Sequence, residues 1–121
     1  MRDSLGFMPD DVDLDDDDAK LVTLARASRA RNRAAEGAAV RDVDGRTYVA
    51  TSVRLASLQL SALQTAVAMA VSSGASDLEA AAVVSDAQGD PDVTVVRDAA
   101  GSDVMVLVAD PDGVLRTTVH T

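Results

Sequence analysis

The side chains able to do chemistry in this chain are mostly carboxylates. Among 121 residues there are 20 Asp and Glu, no Cys, and one His. The missing Cys removes disulfides, Cys-bound zinc and thiol catalysis together. His120 is the next-to-last residue, and a lone His there reads as solvated rather than catalytic. What remains are carboxylates, Ser and Thr hydroxyls, Lys20 and Tyr48. They spell no nucleophile with a base and an orienting group. The densest acids, Asp15 to Asp18, lack the Gly and the distal Glu of a calcium loop, and support weak, non-specific cation binding at most. Gly74-Ala75-Ser76 is a helix stop and no phosphate cradle. Asp110 and Asp112 flank Pro111, where turn chemistry accounts for both.

The elements that would position such groups follow from charge and periodicity. Net charge is −9, and residues 1–18 contribute −7 of it through eight Asp and one Arg. Residues 19–121 are nearly neutral. The chain divides into a disordered acidic tail, 1–18, and one domain, 19–121. Leu5 to Pro9 places Phe7 ahead of the acids, where a partner groove could take it. A helix is expected from Ala19 to Ala35, capped by Asp18 or a neighbour, with arginines in its later half. Arg26, Arg29 and Arg33 on it are candidate partner contacts. A hairpin follows, Gly37 to Val43 and Arg46 to Ser52, joined by the two-residue turn Asp44-Gly45. Ser57 to Ser73 reads as a nearly all-apolar helix stopped by Gly74, and Ala80 to Ser85 as a strand buried on both faces. Residues 90–100 read two ways: Pro91 and Gly101 frame a helix, whereas Val93-Thr94-Val95-Val96 prefers a strand. Strands Asp103 to Asp110 and Val114 to Val119 close the chain around Pro111-Asp112-Gly113.

Several segments in this order carry a resemblance. Gly37-Ala38-Ala39 opens a strand, Asp44-Gly45-Arg46-Thr47-Tyr48 forms a hairpin, Thr65 to Gly74 is the body of a central helix, and Asp110 to Arg116 is a late hairpin. Together they resemble the cytidine deaminase family over about residues 19–119. The resemblance implies an α/β fold, a three-layer sandwich with a five-stranded mixed sheet and helices on both faces. It also implies a helix at 90–100. In that family a Cys at the start of the central helix binds zinc, and a nearby Glu shuttles protons. Those positions match Ser61 and Leu63 here. The two further zinc ligands, from Pro-Cys-x-x-Cys, match Asp92 and Val95. The ribose-holding Asn-x-Glu pair matches Ser52 and Arg54. Where the family has a base-stacking aromatic, this chain has Arg33-Ala34-Ala35-Glu36.

Deamination needs a metal-activated hydroxide and a proton shuttle. One carboxylate, Asp92, holds no zinc alone, and Leu63 moves no proton. The expectation is a pseudoenzyme without cofactor or metal, acting as an interaction or structural module. Leu63 and Val95 are expected to make the former pocket apolar. The family resembled packs central helices together, which implies a homo-oligomer, dimer or tetramer. A protein partner could also use the acidic tail or the basic helix. The alternative is a module binding a nucleoside- or nucleotide-like molecule in a reshaped pocket. An enzyme with unrelated chemistry is the third reading, since fold alone does not fix function. Near-neutral charge in the domain and only 2% aromatics argue against nucleic acid. No apolar run approaches the about 20 residues of a membrane span, and no signal peptide is visible; a cytoplasmic location is expected.

Overall fold

The structure, a computed structural model, describes residues 14–100 and 103–121. In chain order they form α1 (Asp16–Asn32), β1 (Glu36–Asp42), β2 (Thr47–Thr51), β3 (Val53–Arg54), β4 (Gln59–Leu60), α2 (Ala62–Ser72), β5 (Leu78–Ser85), α3 (Thr94–Ala100), β6 (Met105–Ala109) and β7 (Leu115–His120). Five strands make one sheet in the order β2-β1-β5-β6-β7. Only β5 and β6 run parallel, with Ala82 opposite Leu107; every other neighbour is antiparallel. The crossover between the parallel pair contains α3, as parallel pairing requires. The ambiguity at 90–100 resolves as a helix beginning at Thr94.

Two cores flank the sheet. On one face α2 and α3 cover Ala38, Val40, Ala81, Val83 and Val106, with Leu63, Ala66, Val67 and Val96 as the helical contribution. On the other, α1 sets Leu21, Val22 and Ala25 on Ala39, Ala80, Ala82 and Leu107. This is the expected three-layer α/β sandwich. The small Ala and Val side chains of β1 and β5 leave both faces low enough for helices to settle closely. Closest approach is at Gly37, where a Cβ would lie 2.1 Å from the carbonyl oxygen of Ala25. Glycine is required there by the space that α1 leaves.

Several boundaries moved. The first helix begins inside the span read as acidic tail: Asp15 caps it, accepting from the Asp18 N–H at 2.8 Å, and Asp16, Asp17 and Asp18 form its first turn. Carboxylates at the positive end of the helix dipole are stabilised there, which offsets their mutual repulsion. The rest of the expected tail, Phe7 included, lies outside the described residues. At its other end the helix stops before Arg33, which takes a left-handed φ of 53° and returns its N–H to Ala30 and Arg29.

The central helix is shorter than the expected Ser57 to Ser73. Gln59–Leu60 instead pairs with Val53–Arg54 as a small ribbon. Ser61 caps the helix: its Oγ accepts from the Gln64 N–H at 3.1 Å, and the Gln64 side chain accepts from the Ser61 N–H at 2.9 Å. This reciprocal cap was written in the sequence as Ser-x-x-Gln. The first hairpin also differs. Only Gly45 has positive φ, and the Gly45 N–H bonds to the Asp42 carbonyl at 3.0 Å, so the loop is the three-residue Val43-Asp44-Gly45.

Candidate functional site

The N-terminus of α2 opens onto a cleft of about 350 Å³. Its walls come from four places: Glu36 at the start of β1, Ser52 and Arg54 after β2, Ser61 at the helix cap, and Ser85 with Asp86 at the end of β5. The carboxyl end of a strand that pairs in parallel is where sites gather in α/β sheets. A smaller cavity of about 150 Å³ shares Glu36, Ser85 and Ala87 with it, and adds Asp90 and Arg116. The two cavities adjoin at Glu36, Ser85 and Ala87 and are together called the trough.

Glu36 dominates the trough. Its Oε1 accepts from the Ala62 N–H, the first amide of α2, at 3.2 Å. With Ser61 and Gln64 capping each other, the amides of Ser61, Ala62 and Gln64 are all bonded from within the chain. Strand pairing brings Glu36 there: Gly37 lies opposite Thr51, and the Ser52 N–H bonds to the Glu36 carbonyl at 3.3 Å. Ser85 is buried, and its Oγ accepts from the Ala87 N–H at 3.0 Å, shaping the floor. Asp86 is exposed and stands 4.0 Å from the Arg29 guanidinium.

The residues singled out by sequence divide. Ser52, Arg54 and Ser61 are brought together in the trough. Leu63 is not: it is 1% exposed within the core under α2. Val95 packs against the same core. Asp92 is exposed and lines neither cavity. Its Oδ1 accepts from the Thr94 N–H at 2.9 Å, and the hydrogen bonds from Thr94 hold its carboxyl below the usual range. The expected apolar pocket is therefore corrected. Leu63 and Val95 joined the hydrophobic core, and polar groups line the opening.

The zinc positions of the family resembled can be tested against these residues. Ser61, Asp92 and Val95 offer one hydroxyl used as a cap, one carboxylate used as a cap, and no third donor. That set does not fit a zinc ion, which takes Cys, His or carboxylate ligands, three or four at once. Among the described residues no group of three or more His, Cys, Asp or Glu could hold a metal.

The arginines expected to meet a partner are partly spent inside the molecule. Arg26 donates to the Pro111 carbonyl at 3.2 Å, and Arg29 to the Ala35 carbonyl at 3.1 Å. Arg33 is the exposed C-cap. Sequence reasoning missed Ser85 and Asp86, and met Glu36 only as the end of the segment that stands where the family has its aromatic. The contact of Glu36 with Ala62, 26 positions away, gave no signal. Ser85 and Asp86 could have been found from their place at the end of a buried strand.

A family model described as cytidine deaminase-like matches residues 14–113. Among solved structures, the chain is similar to cytidine deaminase from Burkholderia pseudomallei, with a TM-score of 0.70, 24% identity, and coverage of 84% of this chain and 90% of that one. It is similar to cytidine deaminase from Mycobacterium leprae, with a TM-score of 0.65, 20% identity, and coverage of 89% and 94%. For cytidine deaminase from Mycobacterium tuberculosis the values are 0.61, 28%, and 86% and 90%. No curated protein matches significantly by sequence. Among the described residues no helix is long and apolar enough to cross a membrane.

Proposed function

Since this chain belongs to the cytidine deaminase-like family, we propose that it is a non-catalytic member, a metal-free interaction or structural module built from copies of itself. One observation carries the non-catalytic reading: the α2 N-terminus is closed by the chain's own Glu36 and by the Ser61–Gln64 cap. With Leu63 inside the core, the position that matches the family's glutamate carries no group able to move a proton. Self-assembly is supported by the outer face of α2. The helix has no charged residue in its first or last turn, and it leaves Met69 and Val71 42% and 56% exposed. A neutral face is where two copies of a strongly acidic protein meet with least repulsion.

The test combines three readings on purified protein. Cytidine should release no ammonia, bound zinc should stay far below one per chain, and light scattering at micromolar concentration should give a dimer or tetramer. Deamination with stoichiometric metal would end the non-catalytic reading. A monomer throughout would end the assembly.

A second reading is favoured by the trough itself. A polar cleft of about 350 Å³ falls within the roughly 300–1,000 Å³ of small-molecule sites. On this reading the chain binds a small polar molecule without transforming it.

A further inference from the structure

The charges in the trough select among small molecules. Glu36 sits centrally, and both cavities share it. Its one hydrogen bond is to the Ala62 N–H, and no cation among the described residues pairs with it. Arg54 lines the larger cavity, exposed and without a hydrogen bond or ion pair among the described residues. Arg116 lines the smaller cavity and donates to the Gly89 carbonyl at 3.4 Å. Ser52, Gln59, Ser61 and Ser85 line the larger cavity with Glu36 and Arg54.

A simple anion would face Glu36, Asp86 and Asp90, and a simple cation would face Arg54 and Arg116. A flat aromatic base would find nothing to stack on among the described residues, none of whose aromatic side chains lines either cavity; aromatic platforms are how proteins hold unpaired bases. A molecule carrying both charges a few bonds apart meets both demands. Its ammonium would answer Glu36, and its carboxylate would take the planar fork of Arg54.

We propose that the trough binds a small zwitterion of the free amino acid class, its ammonium on Glu36 and its carboxylate on Arg54. The proposal rests on the second reading above, that the trough binds a small molecule. Both substitutions should leave the fold intact. Glu36→Gln keeps an oxygen for the Ala62 N–H, and Arg54 has no side-chain partner to lose among the described residues.

The experiment is a thermal-shift and calorimetric screen of the full chain against L-alanine, L-serine, L-glutamine and L-arginine. Their N-acetyl and amide forms, and the uncharged cytidine and uridine, complete the panel. At least one free amino acid is expected to bind, and blocking either of its charges should abolish binding. Glu36→Gln and Arg54→Gln should each weaken it about tenfold or more, the size of a lost charge-assisted bond. Binding that neither substitution changes would place the ligand elsewhere and overturn the proposal. Cytidine or uridine binding while amino acids do not would overturn the zwitterion and leave the small-molecule reading standing. No binding by any of them would overturn both.

Discussion

The Tyr48 hydroxyl donates to Oδ2 of Asp42 at 3.0 Å, tying β2 to the end of β1. Asp42 is fully buried, and its other oxygen accepts from the N–H groups of Asp44 and Arg46 at 3.0 and 2.9 Å. One carboxylate thus organises the whole hairpin. Tyr48→Phe should cost about 1 kcal/mol, the usual net value of a hydrogen bond. Asp42→Ala should cost more, because it also leaves two amides without their acceptor. Urea denaturation of both variants measures the difference.

The same carboxylate makes stability fall in acid. Burial works against its charge, but the bonds from Arg46, Tyr48 and Asp44 prevail and hold its pKa below the ordinary 3.8. A group depressed in the folded state contributes stability that is fully present above the unfolded value. That contribution is lost as pH falls through the folded value. Asp42→Asn should therefore flatten the acid side of the stability profile below about pH 4, leaving neutral pH to report only the lost charge-assisted bonds. An unchanged acid limb would remove Asp42 from this role.

Gly37→Ala should be poorly tolerated. The new Cβ would meet backbone, the Ala25 carbonyl at 2.1 Å, so no side-chain rotation relieves it and α1 must shift. Overpacking of this kind costs about 1–3 kcal/mol, occasionally more. Gly45→Ala makes the useful contrast: no atom lies near its Cβ, and only the positive φ of 88° opposes it. Thermal melts should place Gly37→Ala lower. The reverse order would mean that α1 rides more loosely on the sheet than its contacts imply.

Leu63 is read as core. Leu63→Ala should cost about 2–5 kcal/mol, as large-to-small changes in cores do. Leu63→Glu, which restores the family's acidic residue type, should cost more still, because a carboxylate would be buried without a partner. Recovery of a stable protein with Leu63→Glu would show that the position opens to the trough.

Ser61→Ala removes one half of the α2 cap and should cost about 1 kcal/mol. Addition of zinc should leave its melting temperature and that of the parent unchanged, since Ser61 serves the helix. A melting temperature that zinc raises in the parent and not in the variant would make Ser61 a ligand.

What was legible in the sequence was what short range decides. Asp42-Val43-Asp44-Gly45 and Asp110-Pro111-Asp112-Gly113 build the same loop. In each, the first Asp accepts from two later amides, and a Gly at φ near +85° closes the turn. Both were visible as Asp-x-Asp-Gly, because a turn's bonds are made within five residues. The central helix was visible from its apolar run. Its start was misplaced because Leu58 and Leu60 extend the apolar pattern, and Ser-x-x-Gln marked the true beginning.

The amino-acid order by itself determined most of the elements, their sequence along the chain, and the family, since turns, caps and periodicity are local; the β3–β4 ribbon and, on periodicity alone, the choice of helix at 90–100 were outside its reach. It also determined that no thiol chemistry occurs, since that follows from composition alone. Tertiary structure alone decided where the chemistry gathers. Glu36 reaches the start of α2 only because β1 pairs with β2, and Leu63 faces the core because α2 lies with that side on the sheet. A carboxylate's meaning depends on which amide or cation it meets across space, and the chain between two groups 26 positions apart carries no trace of that meeting.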